Sequence, residues 1–263
     1  MDINGERLRA DLSGSYAAVD VVASTGSTNA DLRIAAGQGA ADRTVLIAEE
    51  QTAGVGRRAR QWSSPKGAGI YLSVLLRPRD VPFAGLGSLS VVAGLAVRDV
   101  AARLGVDAVL KWPNDVLAGP DRGKCAGILS EAVAGDEFLV VLGIGLNVLP
   151  LGPDVPAGPG GLAPTSLAEQ GATTTDRTEI AVLLLAALAE RELSWRNAGG
   201  DLTKAGLLAE YRRYCATIGQ DVKVGLPDGE VLTGRVTDVD SAGQLLIGGR
   251  TVFAGDVVHV RQA

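Results

Sequence analysis

The 263-residue sequence is poor in histidine, in cysteine and in long apolar runs, and each scarcity excludes a class of protein. One histidine, His259, argues against most histidine-based metal sites and against Ser–His–Asp hydrolases. Two cysteines far apart in sequence, Cys125 and Cys215, predict no disulfide framework and favour a reducing, cytoplasmic setting. No run reaches the ~18 apolar residues of a membrane span, and the charged start lacks a signal-peptide pattern. We therefore expect neither membrane insertion nor secretion.

Negative charge outweighs positive charge over the whole sequence, but three arginines stand close together in one segment. The net charge of −5 argues against a general nucleic-acid binder, which would carry a basic surface. Residues 54–62, called the arginine loop below, read GVGRRARQW. Glycines allow close approach of backbone to a ligand, arginine forks suit phosphate and carboxylate oxygens, and Trp62 offers a flat face. The segment predicts either a loop that encloses a small anionic ligand with a ring or a solvated basic turn.

Strand-like and helix-like runs alternate along most of the chain. The runs at 43–50 and 69–76 predict two adjacent strands with the arginine loop between them. Further strands are predicted at 17–23, 109–112, 123–129 and 137–146, and helices at 30–36, 86–104, 176–195 and 201–216. Five prolines and four glycines make 150–164 an irregular loop. After Gly219, five short alternating segments with turn residues between them predict a small β-barrel. We place a domain boundary between 1–215 and 216–263.

Polar motifs stand where predicted elements begin or end. Ser27-Thr28-Asn29 precedes a helix, where it can cap the helix (Thr28 pairing with Asp31) or hold a polar ligand. Lys111-Trp112-Pro113-Asn114-Asp115 ends a strand, and Lys124 begins one. Gly143 and Gly145 alternate in a strand that ends at Asn147, which indicates close approach of a ligand or of another backbone. Each motif alone is compatible with an ordinary turn.

These motifs in this order resemble the biotin–protein ligase family. The resemblance covers residues 17–150 by motif and the C-terminal segment by pattern. It implies an α+β fold, namely a mixed β-sheet with helices packed on one side, like class II aminoacyl-tRNA synthetases, plus a small SH3-like barrel. It also implies an ATP-dependent ligase that forms biotinyl-5′-adenylate and pyrophosphate, then transfers biotin to one lysine of a carboxyl-carrier domain. ATP and Mg²⁺ would be required, with biotin as a substrate.

The resemblance also implies roles for particular residues. It implies catalytic roles for Arg57, Lys111 and Lys124, and no particular metal ligands. It implies a biotin site formed by Ser27, Thr28, Asn29, Gln51, Gly54, Val55, Gly56, Arg57, Lys124 and Gly127. It implies a nucleotide site formed by Arg57, Arg60, Trp62, Lys111, Asn114, Asp115, Lys124 and Asn147, with Trp62 stacked on adenine. From the glycines and polar residues of the arginine loop, we also expect residues 54–66 to be disordered without ligand and ordered with the adenylate.

Two positions depart from the family pattern, and three alternatives stay open. Val55 stands where the family has arginine and Ala59 where it has glycine, so we expect fewer charge contacts and a stiffer loop. A lipoate or octanoate ligase would share the core architecture. A biotin-responsive DNA regulator is disfavoured by the acidic balance and by the expected lack of a DNA-binding domain. A structural protein whose motifs are only turns is the third. The expected partner is the carrier domain of a biotin-dependent carboxylase, with no nucleic acid or membrane, on a monomer or weak homodimer.

Overall fold

The computed structural model describes residues 2–63, 65–133, 138–153, 155–158, 160–226 and 229–259. Its α-helices are α1 (Gly5–Asp11), α2 (Thr28–Gly37), α3 (Leu89–Arg103), α4 (Arg177–Asn197) and α5 (Leu208–Tyr214). Its strands are β1 (Ala18–Val22), β2 (Thr44–Ala48), β3 (Gly69–Leu76), β4 (Ala108–Lys111), β5 (Asp115–Ala118), β6 (Gly123–Val133), β7 (Leu139–Asn147), β8 (Asp221–Gly225), β9 (Val231–Val239), β10 (Leu245–Ile247), β11 (Arg250–Val252) and β12 (Asp256–His259). The predicted strand at 137–146 begins at a residue outside the described part.

Seven strands form one mixed sheet in the order β1-β2-β3-β7-β6-β5-β4. Strands β1 and β2 run parallel and every other neighbouring pair is antiparallel. The predicted mixed α+β fold is therefore confirmed. Strands β2 and β3 are paired directly, with Thr44 opposite Leu75, so the arginine loop does connect two adjacent strands as expected.

Both faces of the sheet are buried. Side chains alternate between the two faces along each strand, and each face packs into its own hydrophobic cluster. Ile70, Leu72 and Val74 of β3 belong to the main core, which also contains α3 and α4. Leu75 and its partner Val141 point to the other face and pack against α2. The resemblance implied helices on one side only, whereas α2 lies on the opposite face. The start of α2 is thereby placed next to the polar and glycine positions of the central strands.

The last five strands form a separate antiparallel sheet in the order β11-β10-β9-β8-β12. Five short strands after Gly219 were predicted for the SH3-like domain, and the structure has five strands there. The predicted helix at 201–216 was too long, since only Leu208–Tyr214 is α-helical. Asp201 accepts hydrogen bonds from the backbone of Thr203 and Lys204, and Gly206 has φ of 75°, so the first half forms turns.

Two further features were not expected from the sequence. Strand β5 begins at Asp115, directly after the predicted turn, and forms a hairpin with β4. The segment Phe83–Arg103 is long and apolar enough to cross a membrane by length and composition. It includes α3, whose residues Leu89, Val92 and Leu95 are completely buried against the sheet, so this segment is the central helix of the core.

Candidate active site

A cavity of about 570 Å³ lies between the start of α2, the arginine loop, the central strands and the C-terminal sheet. It gathers nearly all of the residues that the sequence motifs indicated. These are Ser27, Thr28, Asn29, Gln51, Val55, Gly56, Arg57, Arg60, Trp62, Lys111, Asn114, Asp115, Lys124, Gly127 and Asn147. Gly54 does not line the cavity; it is buried, and its carbonyl accepts a hydrogen bond from the Trp62 backbone N–H at 2.9 Å.

One end of the cavity is neutral and polar. Ser27 is the N-cap of α2, and its hydroxyl accepts a hydrogen bond from the Ala30 backbone N–H. The expected Thr28–Asp31 capping pair is wrong, because Asp31 instead accepts a hydrogen bond from Thr25. Thr28 meets Gln51, whose Oε1 lies 3.0 Å from the Thr28 backbone nitrogen and 3.1 Å from its hydroxyl.

A buried chain of hydrogen bonds supports this end from the sheet. Ser73 of β3 is fully buried and contacts the Thr28 hydroxyl at 2.7 Å and Asn29 Oδ1 at 2.5 Å. Asn29 Nδ2 donates to Glu131 Oε2 at 2.7 Å, and Glu131 forms an ion pair with Arg33 at 2.9 Å. A side chain at Gly143 would overlap Asn29, so this glycine makes room for the asparagine. Ser73 and Glu131 were not predicted as site residues.

The arginine loop forms a compact turn that is closed by its own backbone. Gly56 N–H donates to the Arg60 carbonyl at 2.7 Å, and Val55 pairs with Gln61. Ala59 has φ of 56°, in the left-handed region that glycine adopts more readily. The alanine at this position, which the sequence predicted to stiffen the loop, thus holds an unfavourable backbone conformation.

The arginines of the loop reach the C-terminal sheet. Asp256 of β12 forms an ion pair with Arg60 and another with Arg58 at 3.2 Å. Arg57 donates to the Gly255 carbonyl at 3.0 Å. Burial lowers the pKa of the Arg57 guanidinium, and Asp256 opposes that change. The C-terminal sheet therefore forms one wall of the cavity and holds the loop over it.

The other end of the cavity is cationic. Lys124 Nζ lies 2.6 Å from Asp115 Oδ1, an ion pair without the direction of a good hydrogen bond. Lys111 lies 3.9 Å from the same carboxylate and donates to the Val257 carbonyl at 2.8 Å. Burial lowers the pKa of Lys111, and Asp115 acts in the opposite direction. The charged side chains that line the cavity include four cations, Arg57, Arg60, Lys111 and Lys124, and two carboxylates, Asp115 and Asp256, so the site carries excess positive charge suited to an anion.

The indole ring of Trp62 packs directly on Gly145 and Gly127, which are called the glycine floor below. This ring would be 2.5 Å from a Cβ placed at Gly145 and 2.8 Å from one at Gly127. Lys124 Nζ lies 5.2 Å from the centre of the same ring. Close approach of a ligand or of another backbone was predicted at the alternating glycines, but in the structure the side chains of Asn29 and Trp62 approach them. In this arrangement Gly127 contacts Trp62.

Two asparagines that were predicted to bind nucleotide also anchor the strand ends. Asn114 Nδ2 donates to the Ile128 carbonyl at 2.8 Å. Asn147 Nδ2 donates to the Thr165 carbonyl at 2.9 Å, while its Oδ1 is buried with no partner among the described residues. An unpaired buried acceptor at a cavity wall can receive a donor from a ligand.

Sequence reasoning missed those parts of the site that come from distant segments. Asp256 and Val257 approach from the C-terminal sheet, and Leu151, Val155 and Pro156 approach from the proline-rich loop. Among the missed residues, Ser73 had a signal in the sequence, because it is a polar residue within the apolar strand GIYLSVLL. Across the described ranges, histidine, cysteine, aspartate and glutamate side chains form no cluster of three that could hold a metal ion.

The chain resembles known proteins over most of its length. Residues 21–147 match the Biotin/lipoate A/B protein ligase family, and residues 217–260 match the Biotin protein ligase C terminal domain. It is 47% identical to a biotin–[acetyl-CoA-carboxylase] ligase of Mycobacterium tuberculosis, over 92% of this chain and 89% of that protein. It is 34% identical to a protein of the same name from Paracoccus denitrificans, over 89% of this chain and all of that protein.

The fold agrees with these sequence relationships. The biotin protein ligase of Aquifex aeolicus, solved in complex with biotin and ATP, superposes with a TM-score of 0.75 at 26% identity. That superposition covers 94% of this chain and all of the other. Sequence identity over most of both chains and agreement of the fold lead to the same conclusion: the chain belongs to the biotin/lipoate A/B protein ligase family and carries a biotin protein ligase C-terminal domain.

Proposed function

We propose that this chain is an ATP-dependent biotin–protein ligase. It activates biotin as biotinyl-5′-adenylate and then transfers the biotinyl group to a lysine of a carboxyl-carrier domain. The observation that carries this proposal is the division of one cavity into two halves. Thr28, Asn29 and Gln51 form a neutral, hydrogen-bonding end, whereas Arg57, Lys111 and Lys124 form a cationic end. A ligand with a polar ring at one end and a carboxylate at the other fits this division.

The first reaction needs positive charge more than it needs a nucleophile on the protein. A biotin carboxylate oxygen attacks the α-phosphorus of ATP, and the bond from that phosphorus to the bridging oxygen of pyrophosphate breaks. Two anions must approach each other, and a third leaves. Cations held in a partly desolvated site stabilise this arrangement without a covalent enzyme intermediate. Arg57, Lys111 and Lys124 are the residues that we assign to this role.

The second reaction transfers the activated acyl group. The uncharged amine of the carrier lysine attacks the carbonyl carbon of the mixed anhydride, the bond to the phosphate oxygen breaks, and AMP leaves as the amine loses its proton to solvent. The anhydride is sensitive to water, so a loop that covers it preserves it until the carrier arrives. The arginine loop, held by Asp256 across the cavity, is suited to this purpose.

The cavity suggests where each part of the adenylate would bind. Ser27, Thr28, Asn29 and Gln51 would hold the ureido ring, and the backbone of Val55 and Gly56 would line the biotin chain. The unpaired Asn147 Oδ1 would accept a hydrogen bond from the adenine amino group. We assign Trp62 to stacking on the adenine ring. The indole would either move away from the glycine floor or stack on adenine from its present position.

Magnesium is assigned to the nucleotide and not to a site formed by protein ligands alone. Mg²⁺ commonly binds through one or two carboxylates, with substrate phosphates and water completing its shell. Asp115 is the carboxylate at the cationic end of the cavity and fits this requirement. The ion would neutralise charge on the departing pyrophosphate, while Lys111 and Lys124 orient the phosphates.

The partner follows from the reaction. The carrier domain of a biotin-dependent carboxylase would present its lysine at the cavity mouth beside the arginine loop. We assign the protein to the cytoplasm, where carboxylases and ATP are found, with no role for nucleic acid or membrane. We further expect a monomer or a weak homodimer, which sedimentation at several protein concentrations measures.

A competition assay separates this function from lipoate ligation. The purified protein is incubated with ATP, Mg²⁺ and labelled pyrophosphate, with either biotin or lipoate. We expect exchange of pyrophosphate into ATP with biotin, and exchange with lipoate that is lower by about 100-fold, because a hydrogen-bonding site rejects ligands that lack its partners. Equal exchange with both acids, or exchange with lipoate alone, contradicts the proposal.

A further inference from the structure

Thr28 lines the cavity, and its hydroxyl touches two oxygens of the protein. Its Oγ1 lies 2.7 Å from Ser73 Oγ and 3.1 Å from Gln51 Oε1, and the residue is only 3% exposed. A hydroxyl carries one proton and two lone pairs. The position of that proton decides whether Thr28 offers a donor or an acceptor to a ligand.

The direction of donation along this chain of hydrogen bonds is set at Glu131, its member farthest from the cavity. A carboxylate paired with an arginine only accepts hydrogen bonds, and Glu131 pairs with Arg33 at 2.9 Å. The Asn29 atom that lies 2.7 Å from Glu131 must therefore be the amide nitrogen. The Leu129 carbonyl, 3.4 Å from the same nitrogen, favours the same orientation. Asn29 Oδ1 then points to Ser73.

The remaining protons follow in sequence. Asn29 Oδ1 is an acceptor, so the Ser73 hydroxyl at 2.5 Å must donate to it. The Ser73 hydroxyl has then used its one proton, so it can only accept a hydrogen bond from Thr28. Gln51 Oε1 already accepts from the Thr28 backbone N–H, so it also acts as an acceptor. Ser73 Oγ is the nearer of these two oxygens, at 2.7 Å against 3.1 Å for Gln51 Oε1, so the Thr28 proton points to Ser73 and stays within the protein.

We propose that this chain of hydrogen bonds makes the Thr28 hydroxyl an obligate acceptor toward the cavity, where it selects an N–H donor of the ligand. Ser73 and Glu131 are then positioning residues that act through Thr28 and Asn29. The inference rests on the proposed function and deepens it, because the ureido ring of biotin carries two N–H donors. The dithiolane ring of lipoate carries none, so the same hydroxyl contributes to discrimination between the two acids.

The test compares biotin with analogues in which one ureido N–H is replaced by oxygen. Dissociation constants are measured by calorimetry for both positional isomers, and the ratio of analogue to biotin is the readout. We expect Ser73→Ala to lower that ratio for one isomer by about tenfold, the worth of one hydrogen bond, because the Thr28 proton then has only its longer contact with Gln51 and can turn to the ligand. Glu131→Ala should lower it as well, because the Asn29 amide is then free to turn and reverse the chain. Glu131→Gln keeps an acceptor for Asn29 and should restore most of the ratio.

Ser88→Ala is the matched control. Ser88 is also fully buried and donates to the Gly85 carbonyl at 2.7 Å, but it does not line the cavity. This variant should keep the wild-type ratio, and every variant should keep the KM for ATP. Glu131 is partly exposed, so its variants test the proposal even if Ser73→Ala does not fold.

Wild-type ratios in the folded Ser73 or Glu131→Ala variants overturn the inference while the ligase function stands. Affinities that fall equally for biotin and analogues also overturn it, since that result indicates loosened packing. Absence of biotin binding by the wild-type protein overturns the proposed function and this inference together.

Discussion

Asp256, the first residue of β12, forms an ion pair with Arg60 of the arginine loop, 196 residues earlier in the sequence. The same carboxylate pairs with Arg58 at 3.2 Å. One acidic side chain of the C-terminal sheet therefore holds two cations of the loop that covers the cavity. The C-terminal sheet takes part in the site as the support of that loop.

Asp256→Ala should increase the rate at which trypsin cleaves within the arginine loop. Exposed ion pairs contribute about 0.2–1 kcal/mol each, and both arginines are more than 40% exposed, so the loss of two pairs should increase the rate by about twofold to about 30-fold. Limited proteolysis with identification of the cleaved bonds measures it. Asp221→Ala, which removes a weaker pair with Arg235 on the same sheet, is the control. Equal cleavage of the Asp256 variant and the wild type contradicts the role of this carboxylate.

Lys124→Ala should nearly abolish adenylate formation and leave the protein folded. Removal of one preorganised donor from a site of developing negative charge commonly costs about 100-fold or more in rate. Biotin-dependent release of pyrophosphate measures the effect, and thermal melting verifies the fold. Lys204→Ala, at an exposed position outside the cavity, should retain full activity. Wild-type rates in folded Lys124→Ala protein would refute the assignment.

Gly145→Ala should shorten the lifetime of the bound adenylate. A Cβ at this position would lie 2.5 Å from the Trp62 ring, so the indole must move and the loop with it. Overpacking of this kind costs about 1–3 kcal/mol, which predicts release that is faster by about tenfold. Gly87→Ala is a suitable control because a Cβ there meets no atom within 4 Å. Adenylate release is followed by chromatography after rapid filtration, and an unchanged lifetime would show that Trp62 does not need the glycine floor.

Nucleotide binding at alkaline pH should be coupled to proton uptake by Lys111. Burial lowers the pKa of this lysine in the folded protein, so part of the population loses its charge below the ordinary lysine pKa of about 10.4. A bound triphosphate favours the charged form and raises the pKa again, so protons are taken up on binding between the two values. KM for ATP should consequently increase as the pH rises through the lowered pKa.

Calorimetry of a non-hydrolysable ATP analogue at about pH 9, in buffers of different ionisation enthalpy, measures this uptake. We expect uptake of a fraction of a proton by the wild type and by Lys204→Met, and a smaller uptake by Lys111→Met. The contribution of Lys111 should become smaller as the pH is lowered, because a larger share of the lysine is then already charged. The same uptake in the Lys111 variant and the wild type would assign the proton to another group.

Local patterns in the sequence predicted most of the elements. Strand β3 was predicted with its observed bounds, and the pairing of β2 with β3 followed from the short apolar runs on either side of the arginine loop. Failures occurred where short-range propensity competed with specific turns. Asp201 and Gly206 form turns where a helix was predicted, so α5 begins only at Leu208. The turn after Trp112 leads into β5, a strand that begins with an aspartate.

The motifs indicated residues that the structure brings into one cavity, but not the contacts among them. Periodicity cannot show that Trp62 lies over Gly145 or that Asp256 reaches the arginine loop, because these contacts depend on tertiary packing between distant segments. The chain from Thr28 through Ser73 to Glu131 crosses three elements in the same way. The roles of individual residues in binding biotin and nucleotide remain predictions.

The most direct test of the central claim is mass spectrometry of a carboxyl-carrier domain incubated with this protein, biotin, ATP and Mg²⁺. Two arms omit ATP or replace biotin with lipoate, and a third uses a carrier whose acceptor lysine is changed to arginine. We predict a gain of one biotinyl group on that lysine in the complete reaction and in no other arm. An unmodified carrier in the complete reaction, or modification without ATP, would contradict the account.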